Sequence, residues 1–327
     1  MRTRTLGGEL TVSAVGYGCM GLSHAYGPAT PKDEAVRIIR KAVDLGYTLF
    51  DTAECYTGTF ADGTESNNER IVGEALAPVR DHVVIATKFG VVHHGATLEV
   101  DSSPETIRRS VDGSLRRLGV EAIDLYYQHR IDPNVEPETV AGVMGELIAS
   151  GKIRHWGISE ADETYLRRAH AICPVTAIQN RYSMMARWHE PLFDVCDELG
   201  VGFVAFSPMA NGFLSAAFQA GQRFADGDFR NAMPQYAAEN DERNRALLDL
   251  LRDLAAAHDA TPAQLSMAWM IDRRPWIVPI PGTRNETRLT ENAGAADLHL
   301  TSDEIASIDA ALDGIDMSAV FGGHAVR

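Results

Sequence analysis

The sequence HVVIATKFG, residues 82–90, combines a nearly continuous apolar run with a lysine, Lys88, close to its end. Valine, isoleucine and threonine favour extended backbone, and a run without polar alternation indicates a strand that is buried on both faces. Strands of that kind occur in parallel sheets that helices cover on both sides. The stretch therefore predicts a parallel α/β sheet, in which a lysine has no packing role.

Seven other stretches have the same character and alternate with amphipathic helices. They are SAVGYGCM (13–20), YTLFDTA (47–53), IDLYYQHR (123–130), KIRHWGIS (152–159), VTAIQNRYS (175–183), VGFVAFSP (201–208) and PWIVPIPG (275–282). Eight strands that alternate with helices predict an α/β protein of the (β/α)8 TIM barrel type, with a doubly wound sheet as the alternative. We expect one domain over residues 1–327, preceded at 1–13 by a β-hairpin that turns at Gly7-Gly8.

Helix boundaries are marked by two residue patterns. A hydroxyl residue before a proline predicts a helix start at Thr30-Pro31, Ser103-Pro104 and Thr261-Pro262. Glycines that tolerate a left-handed conformation predict helix ends at Gly46, Gly119, Gly151 and Gly200. The segment 209–244 has no strand character, and a connection of that length is usually functional.

Composition excludes several classes of function. The 327 residues include 30 basic and 45 acidic ones, a net charge of −15, which disfavours nucleic acid or an anionic membrane as a partner. Four scattered cysteines without metal-ligand spacing indicate reduced thiols. Without a signal-peptide pattern or an apolar run of about 20 residues, we expect a soluble, cytoplasmic protein.

A dinucleotide-binding motif is present only as a short pattern. Gly16, Gly18 and Gly21 match G-x-G-x-x-G, but that motif must open directly into a helix that receives the pyrophosphate. Here nine residues, 22–30, intervene before the next helix can start at Pro31. A glycine-rich turn at the end of a strand is the better interpretation.

Four polar residues fall where predicted strands end. Asp51 ends the second strand and Tyr56 follows it, while Lys88 and His129 end the third and fourth. Taken singly, they could be a turn cap, a surface tyrosine, half of an ion pair and a buried histidine. In a (β/α)8 barrel, however, the carboxyl ends of the strands share one face, which carries the active site. Their coincidence there indicates a catalytic group.

The combination suits the reduction of a carbonyl by hydride transfer. Negative charge develops on the carbonyl oxygen, which must receive a proton, and a tyrosine with a pKa near ~10 is a poor donor at neutral pH. We expect the ammonium of Lys88 to lower the pKa of Tyr56, and Asp51 to hold Lys88 and offset its burial. A neutral His129 could donate a hydrogen bond to the same oxygen.

With these residues in place, the chain resembles the aldo-keto reductase superfamily over nearly its whole length. The matching blocks are GCMGLSHAYG (18–27), DTAECY (51–56), VVIATKFG (83–90), DLYYQHRID (124–132), GKIRHWGISE (151–160), AIQNRYS (177–183), VAFSPMANGFLS (204–215) and IPGTRNETRLTEN (280–292). The resemblance implies reduction of aldehydes or ketones to alcohols with NADPH as the cofactor and NADP+ as its oxidised form. It makes Asp51, Tyr56, Lys88 and His129 a catalytic tetrad with Tyr56 as the acid.

The resemblance also assigns cofactor contacts. Ser159 and Gln179 match the residues that hydrogen-bond the nicotinamide carboxamide, and Phe206 matches the ring that stacks on the nicotinamide. The pyrophosphate stretch carries Ser207, Leu214 and Ser215, the 2′-phosphate positions are Thr283, Arg284, Asn285 and Arg288, and the adenine positions are Glu291 and Asn292. Two arginines four residues apart at a helix start can clamp a phosphate. The segment 209–244 is expected to cover the cofactor.

Three features depart from the family pattern. Glu160 stands where many relatives have asparagine, Gly282 replaces a lysine of some branches, and the loop 57–70 is long. The substrate pocket is expected near Met20, His24, Tyr26 and Trp188, whose character suits hydrophobic or aromatic aldehydes.

Two alternatives remain open. A cofactor-sensing subunit with little turnover, similar to potassium-channel β subunits, would keep the same tetrad. A barrel metallo-hydrolase would use His93-His94, or His129 with Asp132, but a third or fourth ligand is not spaced convincingly, so we expect no metal.

Overall fold

The computed structural model describes residues 1–94, 97–218 and 221–323, and eight parallel strands form its main sheet. The strands of the described chain are β1 (Thr3–Leu6), β2 (Leu10–Ser13), β3 (Tyr17–Gly18), β4 (Leu49–Asp51), β5 (Thr57–Thr59), β6 (Glu65–Asn67), β7 (Val84–Phe89), β8 (Val91–His94), β9 (Thr97–Val100), β10 (Ile123–Gln128), β11 (Ile153–Ser159), β12 (Ala177–Arg181), β13 (Gly202–Phe206) and β14 (Ile277–Pro279). The main sheet has the order β14-β13-β12-β11-β10-β7-β4-β3, so each predicted strand lies beside its neighbour in sequence. The predicted (β/α)8 barrel is confirmed.

The sheet closes between its first and last strands. The backbone N–H of Gly16 donates to the carbonyl of Pro279 at 2.9 Å, and that of Gly18 donates to Pro281 at 3.2 Å. A Cβ at Gly18 would lie 2.7 Å from the carbonyl oxygen of Ile280, which requires glycine there. Two glycines of the GYGCMG motif therefore serve barrel closure.

The N-terminal hairpin seals the end of the barrel at which the strands begin. β1 and β2 pair antiparallel, with Gly7 and Gly8 at positive φ in the turn, as predicted. Three buried hairpin residues, Leu6, Leu10 and Val12, pack into a cluster inside the barrel, together with Leu49, Ala86, Leu125, Tyr127, Ala177, Val204, Val278 and Ile280. Because this end is filled with apolar side chains, polar chemistry is confined to the opposite end.

Ten α-helices occur in the described chain, and most pack around the sheet. They are α1 (Lys32–Asp44), α2 (Asn68–Leu76), α3 (Pro104–Leu118), α4 (Pro137–Ala149), α5 (Glu163–Ile172), α6 (Leu192–Leu199), α7 (Asp241–Ala257), α8 (Pro262–Arg273), α9 (Glu286–Gly294) and α10 (Ser302–Asp313). Ser103 caps α3, and Thr261 forms a capping box with Gln264 at the start of α8. The helix start predicted at Thr30-Pro31 is wrong by one residue, because α1 begins at Lys32. No side chain forms a capping hydrogen bond at this start.

The long loop after Tyr56 is a small hairpin of β5 and β6. It lies against residues 23–29: the N–H of Ala29 donates to Thr59 at 3.0 Å, and a Cβ at Gly58 would come within 1.8 Å of the carbonyl oxygen of Ser23. β8 and β9 form a second hairpin after β7. Both insertions follow strands on the end of the barrel where the predicted catalytic residues lie.

The segment 209–244 consists of short turns. Within its described residues, 3-10 turns run over Ala210–Ser215, Phe229–Ala232, Pro234–Tyr236 and Ala238–Asn240, and α7 begins at Asp241. Residues 219 and 220 lie outside the described part. The segment crosses the same end of the barrel, since the N–H of Phe229 donates to Ala25 in the first loop at 3.0 Å.

Among the helices of the described residues, none is long and apolar enough to span a membrane.

Candidate active site

Asp51 and Lys88 form a buried ion pair at the carboxyl end of the barrel. Because β4 and β7 are neighbours, the two side chains meet, with Lys88 Nζ 2.5 Å from Asp51 Oδ1. Lys88 is fully buried, and its ammonium also donates to the carbonyl of Thr52 at 2.8 Å. Gln179 Nε2 donates to the other carboxylate oxygen of Asp51 at 2.7 Å. The pair is thus held from three strands.

Tyr56 and His129 complete the group that the sequence predicted. Lys88 Nζ donates to the hydroxyl of Tyr56 at 3.3 Å, and the rings of Tyr56 and His129 meet edge to face with centres 5.7 Å apart. His24 stacks on Tyr56 from the first loop at 5.9 Å. All four residues of the predicted tetrad therefore lie together in one small region.

Burial dominates the acidity of Tyr56. Desolvation raises the pKa of Tyr56 to about 12, while the nearby charge of Lys88 acts in the opposite direction. Lys88 therefore acts in the direction that the sequence predicted, but burial of the phenol outweighs it and Asp51 offsets part of the positive charge, so the pKa lies above its ordinary value. The pKa of Lys88 is raised although burial alone would lower it, since Asp51 and Tyr56 favour the ammonium.

The residues assigned to the nicotinamide lie beside the tetrad. Gln179 contacts Asp51, and Ser159, at the end of β11, accepts a hydrogen bond from Arg130 at 3.1 Å. Phe206 ends β13, and the guanidinium carbons of Arg130 and Arg181 lie 5.9 Å and 5.0 Å from its ring centre. Neither arginine was predicted from the sequence as a site residue.

The loop after Phe206 has an unusual backbone. Four of the non-glycine residues with positive φ in the described chain fall here, at Ser207, Ala210, Asn211 and Ala216. Left-handed backbone in side-chain-bearing residues costs free energy and concentrates at ligand-binding loops. Leu214 is buried in this loop, and the hydroxyl of Ser215 donates to the carbonyl of Gly212 at 2.6 Å.

A cleft connects this loop to the start of α9. It is lined by Met209, Ser215, Ala263, Gly282, Thr283, Arg288, Glu291 and Asn292, five of which the sequence assigned to the cofactor. Asn285 caps α9 by accepting from the N–H of Arg288 at 3.1 Å, and Arg288 itself is exposed beside the ring of Phe218 at 5.2 Å. The amide nitrogen of Asn292 is enclosed and has no hydrogen-bond partner within the described part of the chain.

Arg284 does not line this cleft. Its guanidinium donates to the carbonyl of Gly21 at 2.5 Å and to that of Pro28 at 2.9 Å, so it ties α9 to the first loop. The structure thus separates the two arginines that the sequence assigned together to a phosphate. Arg288 faces the cleft, whereas Arg284 is hydrogen-bonded to the loop that carries His24 and Tyr26.

The residues predicted for the substrate pocket differ in their contacts, and His24 is the one shown against the tetrad. His24 lies on Tyr56, and the hydroxyl of Tyr26 accepts from Asn211 at 2.9 Å. Met20 lies in the 3-10 turn Met20–Leu22 of the first loop. Trp188 packs beside His189, and a Cβ at Gly323 would come within 2.1 Å of its ring. Trp188 therefore contacts the last described residues.

The residues of the metal alternative are engaged elsewhere. Asp132 accepts from the backbone N–H groups of Ser102 at 3.0 Å and Asn134 at 2.9 Å. His129 Nδ1 lies 3.5 Å from the sulfur of Cys55. No group of three potential ligands occurs among the described side chains, and those of His93 and His94 lie outside the described part.

The sequence could have indicated Arg181 by the reasoning that identified Lys88. AIQNR is a buried strand that ends in a cation, and Arg181 is only 8% exposed. Arg130 likewise ends a predicted strand, IDLYYQHR, whereas Asn211 has no comparable signal, because its role depends on which loops meet at the end of the barrel.

The fold and this site agree with comparisons to known proteins. The model of the aldo/keto reductase family matches residues 14–313. A probable aldo-keto reductase from soybean, Glycine max, is 37% identical over 316 residues, which is 96% of this chain and 88% of the relative. The chain belongs to the aldo/keto reductase family and is an oxidoreductase.

Solved structures give the same result. A glycerol dehydrogenase from Gluconobacter oxydans superposes with a TM-score of 0.85 at 26% identity, covering 96% of this chain and 95% of that one. An aldo-keto reductase from Bacillus halodurans, in its holo form, gives 0.77 at 27% identity over 95% and 96% of the two chains. An aldo-keto reductase from Klebsiella pneumoniae, in complex with NADP and acetate, gives 0.70 at 27% identity over 97% and 100%.

Proposed function

We propose that this protein reduces aldehydes or ketones to alcohols with NADPH, and that Tyr56 is the proton donor. The observation that carries the proposal is the contact of Tyr56 with Lys88, itself held by Asp51 at 2.5 Å, at the carboxyl end of a (β/α)8 barrel. Family membership and the NADP-bound relative support the cofactor.

The proton step follows from the position of the phenol. NADPH supplies a hydride to the carbonyl carbon, and the oxygen that gains charge takes the proton of Tyr56. An alkoxide is a much stronger base than a phenolate, so a phenol with a pKa of about 12 can protonate it. Lys88 then stabilises the phenolate that remains, and His129 orients the carbonyl oxygen.

Asp51 acts through Lys88. Its two oxygens accept from Lys88 and from Gln179, so the carboxylate is engaged on both sides. A buried lysine without such a partner would lose its proton readily, because desolvation disfavours the charged form. Asp51 therefore keeps Lys88 charged and aimed at the tyrosine.

The residues present fit NADPH. In the cleft, Thr283 and Arg288 offer donors to an adenosine 2′-phosphate, while the enclosed amide nitrogen of Asn292 can donate to the adenine and the carboxylate of Glu291 can accept from its amino group. We assign the loop after Phe206, with its left-handed residues Ser207, Ala210, Asn211 and Ala216, to the diphosphate of the cofactor. We propose that 209–244 covers the bound cofactor, since it contacts both Arg288 and the first loop.

The broader assignments belong to the same proposal. A small-molecule carbonyl partner and no nucleic acid fit the net charge of −15. Four free cysteines fit a reducing cytoplasm, and one barrel domain fits the continuous sheet.

The test compares wild-type protein with Tyr56→Phe in an NADPH-oxidation assay over a panel of aldehydes. We expect turnover to fall by at least about 100-fold, because a general acid is lost. Binding of NADPH, followed by its fluorescence, should stay within about 2-fold, since the phenol is not among the proposed cofactor contacts.

Retained turnover in Tyr56→Phe would show that another group donates the proton. Wild-type protein that binds NADPH but oxidises it with none of the aldehydes would favour the cofactor-sensing alternative.

A further inference from the structure

Two arginines converge on Phe206 at the mouth of the site. Arg181 ends β12 two residues after Gln179, so both side chains leave the strand on the same face, and Gln179 contacts Asp51. Arg130 directly follows His129. The guanidinium carbons lie 5.0 Å and 5.9 Å from the Phe206 ring centre, which places two positive charges beside the proposed nicotinamide site.

Neither cation has a close counter-ion in the described part of the chain. Arg130 donates to the carbonyl of His129 at 2.6 Å and to Ser159, and Arg181 makes only a long 3.5 Å contact with Asn211 Oδ1. The carboxylate of Glu160 accepts from the backbone N–H of Arg181 at 3.0 Å. It attracts the guanidinium electrostatically, but at more than the 4.0 Å of an ion pair.

This arrangement is unfavourable without a ligand. Burial of Arg181 and repulsion from Arg130 both lower its pKa, which means that the protein environment disfavours its charge. A guanidinium that is 8% exposed normally has a carboxylate or several carbonyls as partners. Among the described residues, no nitrogen of Arg181 is both enclosed and without a partner, so those without a partner are accessible to solvent.

We propose that Arg181, with Arg130 beside it, binds an anionic group of the substrate, so that the enzyme prefers carbonyl compounds that carry a carboxylate or a phosphate. The inference rests on the proposed reductase function and names its substrate class. A planar guanidinium with free N–H groups matches the two oxygens of such an anion. The site lies next to Phe206, so the anion and the reacting carbonyl belong to one small molecule.

This substrate class differs from the hydrophobic or aromatic aldehydes that the loop residues indicated. Tyr26 and Trp188 remain predictions for the substrate pocket. The hydroxyl of Tyr26 accepts from the amide of Asn211, which leaves Asn211 Oδ1 directed at Arg181. The positive charge comes from Arg130 and Arg181, which follow or end strands. The substrate class expected from the sequence was inferred from loop residues and did not include them.

The experiment measures kcat/KM for pairs of substrates that differ only in charge. Suitable pairs are 4-carboxybenzaldehyde with methyl 4-formylbenzoate, and succinic semialdehyde with butanal. Wild-type protein should prefer the anion in each pair. Arg181→Gln should lower kcat/KM for the anionic member by about 10- to 100-fold, the range for hydrogen bonds to a charged group, and change the neutral member by less than about 2-fold.

Two further variants keep the result interpretable. Arg181→Lys retains the charge and should recover part of the preference, even if the glutamine variant is unstable. Arg252→Gln removes an exposed arginine of α7 that pairs with Asp249, and it should change kcat/KM for neither the anionic nor the neutral substrate.

The outcomes separate the sources of the anion. If Arg181 holds the diphosphate of the cofactor instead, Arg181→Gln will weaken NADPH binding and lower kcat/KM equally for both substrates of each pair. That result would overturn the proposal. Equal kcat/KM for charged and neutral members in wild-type protein would overturn it as well.

A binding measurement distinguishes this failure from failure of the proposed reduction. With NADP+ present, 4-carboxybenzyl alcohol should raise the Tm of wild-type protein more than its methyl ester does, and Arg181→Gln should abolish the difference. This readout needs no turnover. An absent difference would refute the anion site even in an active reductase, and a clear one would support it even in an inactive protein.

Discussion

At the scale of single residues, Tyr56 illustrates a balance between burial and charge. The rings of His24 and His129 pack against the ring of Tyr56, and burial raises the pKa of Tyr56 to about 12 despite Lys88 at 3.3 Å. The phenol is therefore protonated throughout the neutral range. For reduction this is the useful state, since the proton is present before the hydride arrives.

The raised pKa predicts opposite pH profiles for the two directions of the reaction. Reduction needs the protonated phenol, which is fully present below the pKa, so kcat/KM should stay flat from pH 6 to 9. Alcohol oxidation needs the phenolate, so its kcat/KM should rise by about tenfold per pH unit up to pH 10. Initial rates with NADPH and NADP+ test this. A plateau of oxidation near pH 7 would show a lower pKa in the complex.

At the scale of elements, the start of α9 explains why two arginines of one motif have different surroundings. Arg284 precedes the helix cap Asn285, and its side chain reaches the first loop. Arg288 lies one turn into the helix and stays at the cleft, where the helix N-terminus adds its own positive potential. Sequence spacing alone could not separate them, because the position of the first loop decides which carbonyls are in reach.

This difference predicts distinct cofactor defects for the two arginines. Arg288→Gln should weaken NADPH binding by about 10- to 100-fold and leave NADH binding unchanged, since only NADPH carries the 2′-phosphate. Arg284→Gln should weaken both cofactors similarly, through the loosened first loop. Fluorescence titrations of both variants with both cofactors check this. NADPH-selective loss in Arg284→Gln would return this arginine to the phosphate site.

At the scale of the whole molecule, three separate parts of the chain meet over the carboxyl end of the barrel. The segment 209–244 contacts α9 through Phe218 and the first loop through Asp228 and Phe229. Arg230 lies within 5.4 Å of three aromatic ring centres and pairs with Asp228. A ligand held between these parts should tighten all of them together.

We therefore expect NADPH to protect the segment 209–244 from proteolysis. At a concentration of 100 Kd the cofactor should also stabilise the folded protein by about 2.7 kcal/mol. Limited digestion with mass mapping of the cut sites measures the protection, and Arg288→Gln at the same NADPH concentration serves as the control. Equal cleavage of 209–244 with and without cofactor would argue against a covering role.

Much of the architecture was readable from local patterns. Runs such as VVIATKF and DLYYQ are apolar on both faces, which suits only strands buried in a parallel sheet, and eight of them in alternation with helices specify a barrel. Ser103 and Thr261 were assigned as helix caps for a similar reason, since a cap depends on residues within one turn. The assignment of Thr30 as the cap of α1 was wrong, because the helix begins one residue later than predicted and Pro31 occupies the cap position.

The sequence by itself determined that Asp51, Tyr56, Lys88 and His129 share one end of the barrel, because strand order and strand ends follow from the chain. Only the tertiary structure decided how strongly burial opposes Lys88 at Tyr56 and where Arg284 reaches. It also decided that Arg130 and Arg181 meet at Phe206 with no close carboxylate among the described side chains. The physical reason is range. Secondary structure depends on neighbours along the chain, whereas desolvation and charge pairing depend on groups that are brought together from distant loops.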